Sequence, residues 1–106
     1  MTNTFIATTK YLHEEEAFLR AGQYGDGSTA LVAYSSSIGD ELFKATVALP
    51  DAVPEPGNVF IKNWSENEGV LQCLIEQKIV SEPIREHRSG WVNAQECKLL
   101  ITVEAL

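Results

Sequence analysis

The chain has 106 residues, of which 44% are hydrophobic and 22% are charged. This length suits a single domain, residues 1–106, and the composition is that of a globular protein rather than a disordered or membrane-embedded one. Fifteen acidic residues against eight basic ones give a net charge of −7. Because phosphate contacts need clustered Lys and Arg, this balance argues against nucleic acid as a direct ligand.

The N-terminus and the cysteines indicate the compartment. Residues 1–5 lack the basic stretch and apolar run of a secretory signal, and no apolar run is long enough to span a membrane. We therefore expect a cytoplasmic protein with no membrane partner. Cys73 and Cys97 lie too far apart for a zinc or redox pair, so we expect both to be buried, reduced side chains.

The N-terminal part of the chain predicts antiparallel strands. Residues 5–9 favour a strand followed by a turn at the neighbouring glutamates, with an amphipathic helix over residues 11–19 as the alternative. Residues 17–24 and 29–35 are β-prone runs separated by the sequence GDGS at 25–28, which is typical of a hairpin. These two runs should pair with each other.

The next segment predicts one more strand of the same meander. A turn at residues 38–40 leads into residues 43–49, where buried-type and solvent-type residues alternate. A period of two predicts a strand with one buried face. Three prolines then favour a loop over residues 50–58, because proline cannot donate to a strand ladder.

One main helix is predicted at about residues 66–78, directly after a short strand at residues 59–62. Ser65 is a preferred N-cap residue, and Glu68 follows it at the spacing of a capping box. Apolar residues recur at helical spacing and should form one face packed on a sheet, namely Val70, Leu71, Leu74 and Ile75.

The C-terminal part predicts two further strands, at residues 84–87 and 99–103, with a turn at Ser89-Gly90. Glu82-Pro83 ends any continuation of the helix before them. Together these elements predict an α+β fold, an antiparallel sheet of about five to six strands with the helix packed on one face.

The sequence offers no arrangement typical of catalysis or metal binding. Residues 25–30 match the letters G-x-G-x-x-A of a dinucleotide site but lead into a strand, so a hairpin is the better interpretation. His13 is at best a surface chelator, and His87 lies in a charged run typical of a solvated edge strand. Cys73 should be inert within the helix, and Cys97 has no neighbouring histidine. We therefore expect no enzyme, with no catalytic residue, metal or cofactor.

The acidic surface is the remaining indication of function. Negative charge can imitate a phosphate backbone and speed association with the basic groove of a nucleic-acid-binding protein. The alternative is that a charge of −7 only keeps a small domain soluble.

Several motifs in residues 29–103 resemble those of one family. In chain order they are Leu49-Pro50-Asp51, Lys62-Asn63-Trp64, Ser65-Glu66-Asn67-Glu68-Gly69, Glu82-Pro83 and Ser89-Gly90-Trp91. This order resembles an uncharacterised small bacterial domain family, a domain of unknown function carried on conjugative elements, plasmids and phages. The resemblance implies an accessory protein of a mobile element and assigns no catalytic residue. Small acidic proteins of such elements often occupy a host defence complex, as anti-CRISPR and antirestriction proteins do.

We accordingly expect a non-enzymatic binding module for a protein with a basic surface, such as a nucleic-acid-binding defence complex. The expected partner-binding residues are Asp40, Glu41, Asp51, Glu55, Trp64, Glu66, Asn67 and Glu68. Trp64 is either an exposed interface anchor or, as we favour, a residue packed beneath the helix. A structural or regulatory accessory protein, with a homodimer through the edge of residues 99–103, is the alternative. Gly69 disfavours its helix by about 1 kcal/mol relative to Ala, which indicates a close approach at this position.

Overall fold

In the computed structural model, which describes residues 4–105, the chain forms an α+β fold with two antiparallel sheets. The first sheet has the order β1-β2-β3-β4, so each strand pairs with the next along the chain. Its strands are β1 (Thr4–Ala7), β2 (Glu15–Gln23), β3 (Thr29–Ser35) and β4 (Glu41–Lys44). The predicted N-terminal strand, the hairpin and the meander are confirmed. The turn predicted at the glutamates is wrong, because Glu15 and Glu16 belong to β2 and pair with Ala7 and Ile6 of β1.

The second sheet has three strands in the order β5-β7-β6. They are β5 (Asn58–Ile61), β6 (Arg85–Ser89) and β7 (Val92–Lys98). Strands β6 and β7 form a hairpin at the predicted turn, and β5 pairs with the other side of β7. The prediction of one sheet with five to six strands is therefore wrong, because the strands are divided between two sheets.

The division occurs directly after β4. The alternation over residues 43–49 predicted one continuous strand, but the pairing with β3 ends at Lys44. Thr46 instead forms an isolated bridge with Ile61 of β5. Thr46 is buried, and its Oγ1 accepts a hydrogen bond of 3.0 Å from the backbone N–H of Leu31. This polar contact, which an alternation of hydropathy does not reveal, lets the chain turn from the first sheet to the second.

The prediction of a strand at residues 99–103 is also wrong, because the last strand of the chain, β7, ends at Lys98. Leu99 makes a single bridge to Val80, and the backbone N–H of Leu100 donates to the carbonyl of Ile79 at 2.8 Å. Apolar side chains of this segment pack against the core. The segment therefore offers no strand edge for the homodimer that the sequence suggested.

Helical structure falls where it was predicted, but it is interrupted. A 3₁₀ turn spans Ser65–Asn67, and helix α1 spans Val70–Glu76. The predicted capping box is wrong, because the N-cap position of α1 is Gly69 and carries no side-chain cap. Asn63 takes the capping role, since its Oδ1 accepts a hydrogen bond of 2.9 Å from the backbone N–H of Leu71.

Gly69 has the close approach that its position in the sequence indicated. Its φ of 95° lies in the left-handed region, which favours glycine. A Cβ at this position would lie 3.1 Å from the backbone nitrogen of Lys10 and 3.2 Å from the Cα of Thr9. The N–H of Lys10 also donates to the carbonyl of Glu68 at 3.0 Å. The connection between β1 and β2 therefore packs directly on the beginning of the helix.

The main core joins side chains of both sheets and of α1. Its largest fully buried members are Leu31, Ile61, Leu74, Val59, Val70 and Val80. Cys73 and Cys97 are free thiols buried in this core, as predicted. A smaller cluster of Leu49, Phe60 and Ala94 packs on the second sheet. In residues 4–105, no helix has the length and apolar character needed to cross a bilayer.

Candidate binding surface

The acidic residues predicted to bind a partner lie in three separate parts of the fold. Asp40 and Glu41 lie at the turn between β3 and β4, and both are exposed. Within residues 4–105, neither of them forms an ion pair. These two carboxylates are therefore available to a partner.

The loop between β4 and β5 carries the second group. Asp51 is exposed and, within the described residues, has no ion pair. Glu55 is exposed, but its carboxylate pairs with the guanidinium of Arg85. Much of the negative charge of Glu55 is therefore already balanced within the protein.

The 3₁₀ turn carries the third group, and its side chains are largely used internally. Glu66 pairs with Lys62, and Glu68 lies 3.5 Å from the Nζ of Lys10. Asn67 is only 1% exposed, because its Nδ2 donates to the backbone carbonyls of Lys44 and Lys62. Asn67 therefore joins β4 to the turn and does not reach the surface, contrary to its place among the expected contacts.

Trp64 is half-buried and packs against the cluster of Leu49, Phe60 and Ala94. Trp64 is therefore packed, but on the second sheet rather than beneath the helix, where the sequence had favoured placing it. Its indole stabilises the junction between β5 and the 3₁₀ turn, and only part of it reaches solvent.

The outer face of the first sheet carries an apolar surface that lies beside Asp40 and Glu41, two of the predicted partner-binding residues. In β2, Ala17 and Leu19 are buried in the core, so Phe18 and Arg20 point to the opposite side. Phe18 stacks on Tyr34 of β3 with 5.6 Å between ring centroids. The guanidinium of Arg20 lies 4.6 Å from the centroid of Phe18. We call Phe18, Arg20 and Tyr34 the aromatic face.

The turn bearing the two free carboxylates borders this aromatic face. A shallow hollow of about 350 Å³ is lined by the aromatic face together with Gly39, the residue before Asp40. Glu41 is the register partner of Tyr34 across the sheet. Ile38 of the same turn is 72% exposed. Stacked rings, an exposed aliphatic side chain and free carboxylates thus lie together at this end of the first sheet.

A buried carboxylate network in the second sheet was missed by the sequence analysis. Glu96 of β7 is 0% exposed, and its Oε2 accepts hydrogen bonds from the Nδ2 of Asn58 at 2.7 Å and the N–H of Glu55 at 3.0 Å. Its Oε1 lies 2.9 Å from the Nε2 of His87 and 3.7 Å from the Nε of Arg85. His87 is thus half-buried rather than solvated, and its ring packs 4.7 Å from that of Phe60.

The network keeps the carboxylate of Glu96 ionised. Burial acts to raise the pKa of Glu96, but hydrogen bonds from Asn58, the Glu55 N–H and His87, together with the charge of Arg85, outweigh it. The pKa of Glu96 therefore lies below its ordinary value. The sequence signal for this site is weak: Glu96 lies two residues after the apolar Ala94, on the face of β7 that is buried.

The chemistry available to the network is structural support. Its hydrogen bonds attach the loop that carries Glu55 to the second sheet. Within residues 4–105, the hydrogen-bond partner of the His87 ring is the carboxylate of Glu96. Residues 4–105 contain no cluster of three or more His, Cys, Asp or Glu side chains arranged to hold a metal ion.

Comparison of the chain with protein-family models, with curated proteins and with solved structures finds no match.

Proposed function

We propose that the chain is a non-enzymatic protein-binding module that docks through the aromatic face and the adjacent carboxylates of Asp40 and Glu41. The observation that carries the proposal is the position of two exposed carboxylates, which form no ion pair with any residue from 4 to 105, beside a stacked Phe18–Tyr34 pair. Interfaces between proteins are enriched in aromatic residues and arginine at their centre and are polar at their rim. This end of the first sheet has both properties.

The charge of the chain defines the kind of partner. A net charge of −7 steers the protein toward basic surfaces and away from nucleic acid. Basic grooves are the surfaces with which nucleic-acid-targeting complexes hold phosphate backbones. Together with the resemblance to a family carried on mobile elements, this supports an inhibitor of a host defence complex, of the anti-CRISPR or antirestriction kind. Such a complex acts in the cytoplasm, where we place the protein.

The other expected contacts contribute unequally to this proposal. Asp51 is an exposed carboxylate with no ion pair in the described part of the chain, and it adds to the negative field. Glu55, Glu66 and Glu68 each have a cationic partner within the protein, so binding through them would require an existing ion pair to open. The primary contact is therefore assigned to the β3–β4 turn rather than to the 3₁₀ turn.

A charge-reversal pair tests the proposal. The double variant Asp40→Lys and Glu41→Lys is compared with the control Glu76→Lys and Glu82→Lys, which changes the net charge equally at exposed positions elsewhere. Both proteins are assayed for protection of an incoming plasmid in bacteria with an active restriction or CRISPR system, and for capture of the defence complex from nuclease-treated lysate.

We expect the wild type and the control to protect the plasmid and to retain the complex at low salt. The Asp40/Glu41 variant should bind at least about tenfold more weakly, because its lysines face a basic surface. Equal loss in both variants would refute a docking role for this turn. The proposal also fails if the wild type gives no protection and captures no basic protein.

The alternative of an accessory homodimer makes a different prediction for the same face. A dimer held by apolar contacts of Phe18 and Tyr34 should persist at high salt, whereas electrostatic docking weakens steeply with ionic strength. Analytical ultracentrifugation at low and high salt separates the two. A stable dimer at both concentrations would contradict the inhibitor proposal, since the aromatic face would then be covered.

A further inference from the structure

A second surface lies at the end of the second sheet, away from the acidic turn. A groove of about 400 Å³ opens where the beginning of α1 meets the β6–β7 hairpin. It is lined by two aliphatic side chains and by Asn63, Trp64, Trp91, Asn93 and Gln95. None of these residues is charged, although the chain carries a net charge of −7. The volume falls within the range of small-molecule sites.

Trp91 has no packing role in the described part of the chain. It is the second residue of the two-residue turn between β6 and β7, and it is fully exposed. Gly90, with a φ of 59°, supplies the positive φ that such a turn needs at its first position. The turn therefore does not require a tryptophan, and the fully exposed indole of Trp91 adds no packing to the described part of the fold. A large exposed ring with a polar N–H is typical of a binding surface.

The amide side chains around the groove present donors and acceptors in fixed positions. The Oδ1 of Asn63 accepts from the N–H of Leu71, which leaves the Asn63 NH₂ as a donor. The Nε2 of Gln95 donates to Glu86 at 2.7 Å, which leaves the Gln95 Oε1 as an acceptor. Asn93 is hydrogen-bonded to the same carboxylate. The groove thus offers both kinds of hydrogen-bonding group next to indole rings.

We propose that this groove binds a neutral saccharide, with the C–H face of one sugar ring stacked on Trp91 and its hydroxyls bonded to Asn63 and Gln95. A hydroxyl both donates and accepts, so it matches the mixed set of amide groups. A proline-rich peptide provides mainly carbonyl acceptors and would leave the Oε1 of Gln95 without a donor. A nucleotide carries phosphate, which the negative charge of the chain repels. This site is independent of the protein-binding face.

Nuclear magnetic resonance of the full chain tests the proposal. The probes are cellotriose, chitotriose and maltotriose, each added up to its solubility limit to uniformly ¹⁵N-labelled protein. We expect one of the three to shift the indole N–H signals of Trp64 and Trp91 and the side-chain amide of Gln95 in a saturable way. Because the lost stacking is modest, Trp91→Ala should weaken binding roughly two- to tenfold.

Two comparisons keep the result interpretable. Tyr11→Ala removes another exposed aromatic residue, 62% exposed, and should leave binding unchanged. Gln95→Leu should weaken binding while the unfolding midpoint shows that the fold is retained. The proposal is overturned if no saccharide gives a saturable shift, if Trp91→Ala binds as the wild type does, or if a proline-rich peptide shifts these signals and the saccharides do not.

Discussion

Replacing Glu96 with glutamine should destabilise the protein by about 2–4 kcal/mol. The wild-type carboxylate has donors on both oxygens, from Asn58 and the Glu55 N–H on one and from His87 and Arg85 on the other. Glutamine supplies one acceptor oxygen, so its NH₂ group must face a donor on the other side. Hydrogen bonds to a charged group contribute about 1.5–3 kcal/mol each, and breaking a buried charge pair costs about 3–5 kcal/mol. Because the ring of His87 can partly rearrange around the glutamine, we expect a net loss of about 2–4 kcal/mol rather than the full cost of breaking a buried charge pair.

Urea unfolding at neutral pH measures the effect, with Glu82→Gln as the control at an exposed acidic residue. In a domain of this size, a loss of about 3 kcal/mol lowers the melting temperature by about 10–25 °C. The control should stay within about 0.5 kcal/mol of the wild type. If Glu96→Gln is equally neutral, the network does not stabilise the fold and our assignment of its role is wrong.

The pH dependence gives a second and independent measurement. Because the folded pKa of Glu96 is depressed, its stabilisation is complete above the ordinary glutamate pKa and is lost as the pH falls through the folded value. Acidification from neutral pH to about pH 4 and below should therefore reduce the stability of the wild type more than that of Glu96→Gln. Parallel curves for the two proteins would contradict an ionised, hydrogen-bonded Glu96 in the native state.

Three further predictions follow from the packing. Gly69→Ala should destabilise the protein by about 1–3 kcal/mol in urea unfolding, because Gly69 has a positive φ and lies against the β1–β2 connection, whereas the control Gly25→Ala should be near neutral. A stabilised Gly69→Ala variant would instead support the regular, uninterrupted helix that the sequence predicted. Asn67→Ala should destabilise by about 1–3 kcal/mol in the same assay, since two backbone carbonyls lose their donor, and a neutral result would remove its structural role. Burial raises the pKa of Cys97 to about 11 and also raises that of Cys73, so neither thiol should react with a thiol reagent near pH 8 unless denaturant is added; fast native-state labelling would show that the core opens.

The parts of the fold that could be predicted from the sequence are those determined by local signals. The GDGS turn between β2 and β3, the Ser89-Gly90 turn and the position of the helix depend on residues close in the chain. The division into two sheets does not, because it occurs where Thr46 contacts residues distant in the chain, namely Leu31 through its hydroxyl and Ile61 through a backbone bridge. Alternating hydropathy does not distinguish a threonine facing solvent from one that bonds inside the core.

The candidate surface shows the same limit. The sequence identified Asp40 and Glu41 as acidic, but their pairing state depends on cations that are distant in the chain. Glu68 is acidic in the same way, but its carboxylate lies 3.5 Å from the Nζ of Lys10, a residue 58 positions earlier in the chain. Asn67 lies between two exposed glutamates and yet is buried, because its amide donates to backbone carbonyls of Lys44 and Lys62. The sequence showed which side chains are charged, but it did not show which of them are exposed and free to contact a partner.

The pairing of β5 with β7 has a consequence for synthesis of the chain. The strands of the first sheet have all been synthesised once residue 44 is made, but Asn58 cannot pair with Lys98 until residue 98 is made. Until then, the core around Leu19 and Leu31 lacks the side chains that β7 contributes, including Cys97. Pairings between distant segments form slowly, so we expect the nascent chain to expose apolar surface before β7 is added. Shortened versions that stop before β7 should accumulate as aggregates.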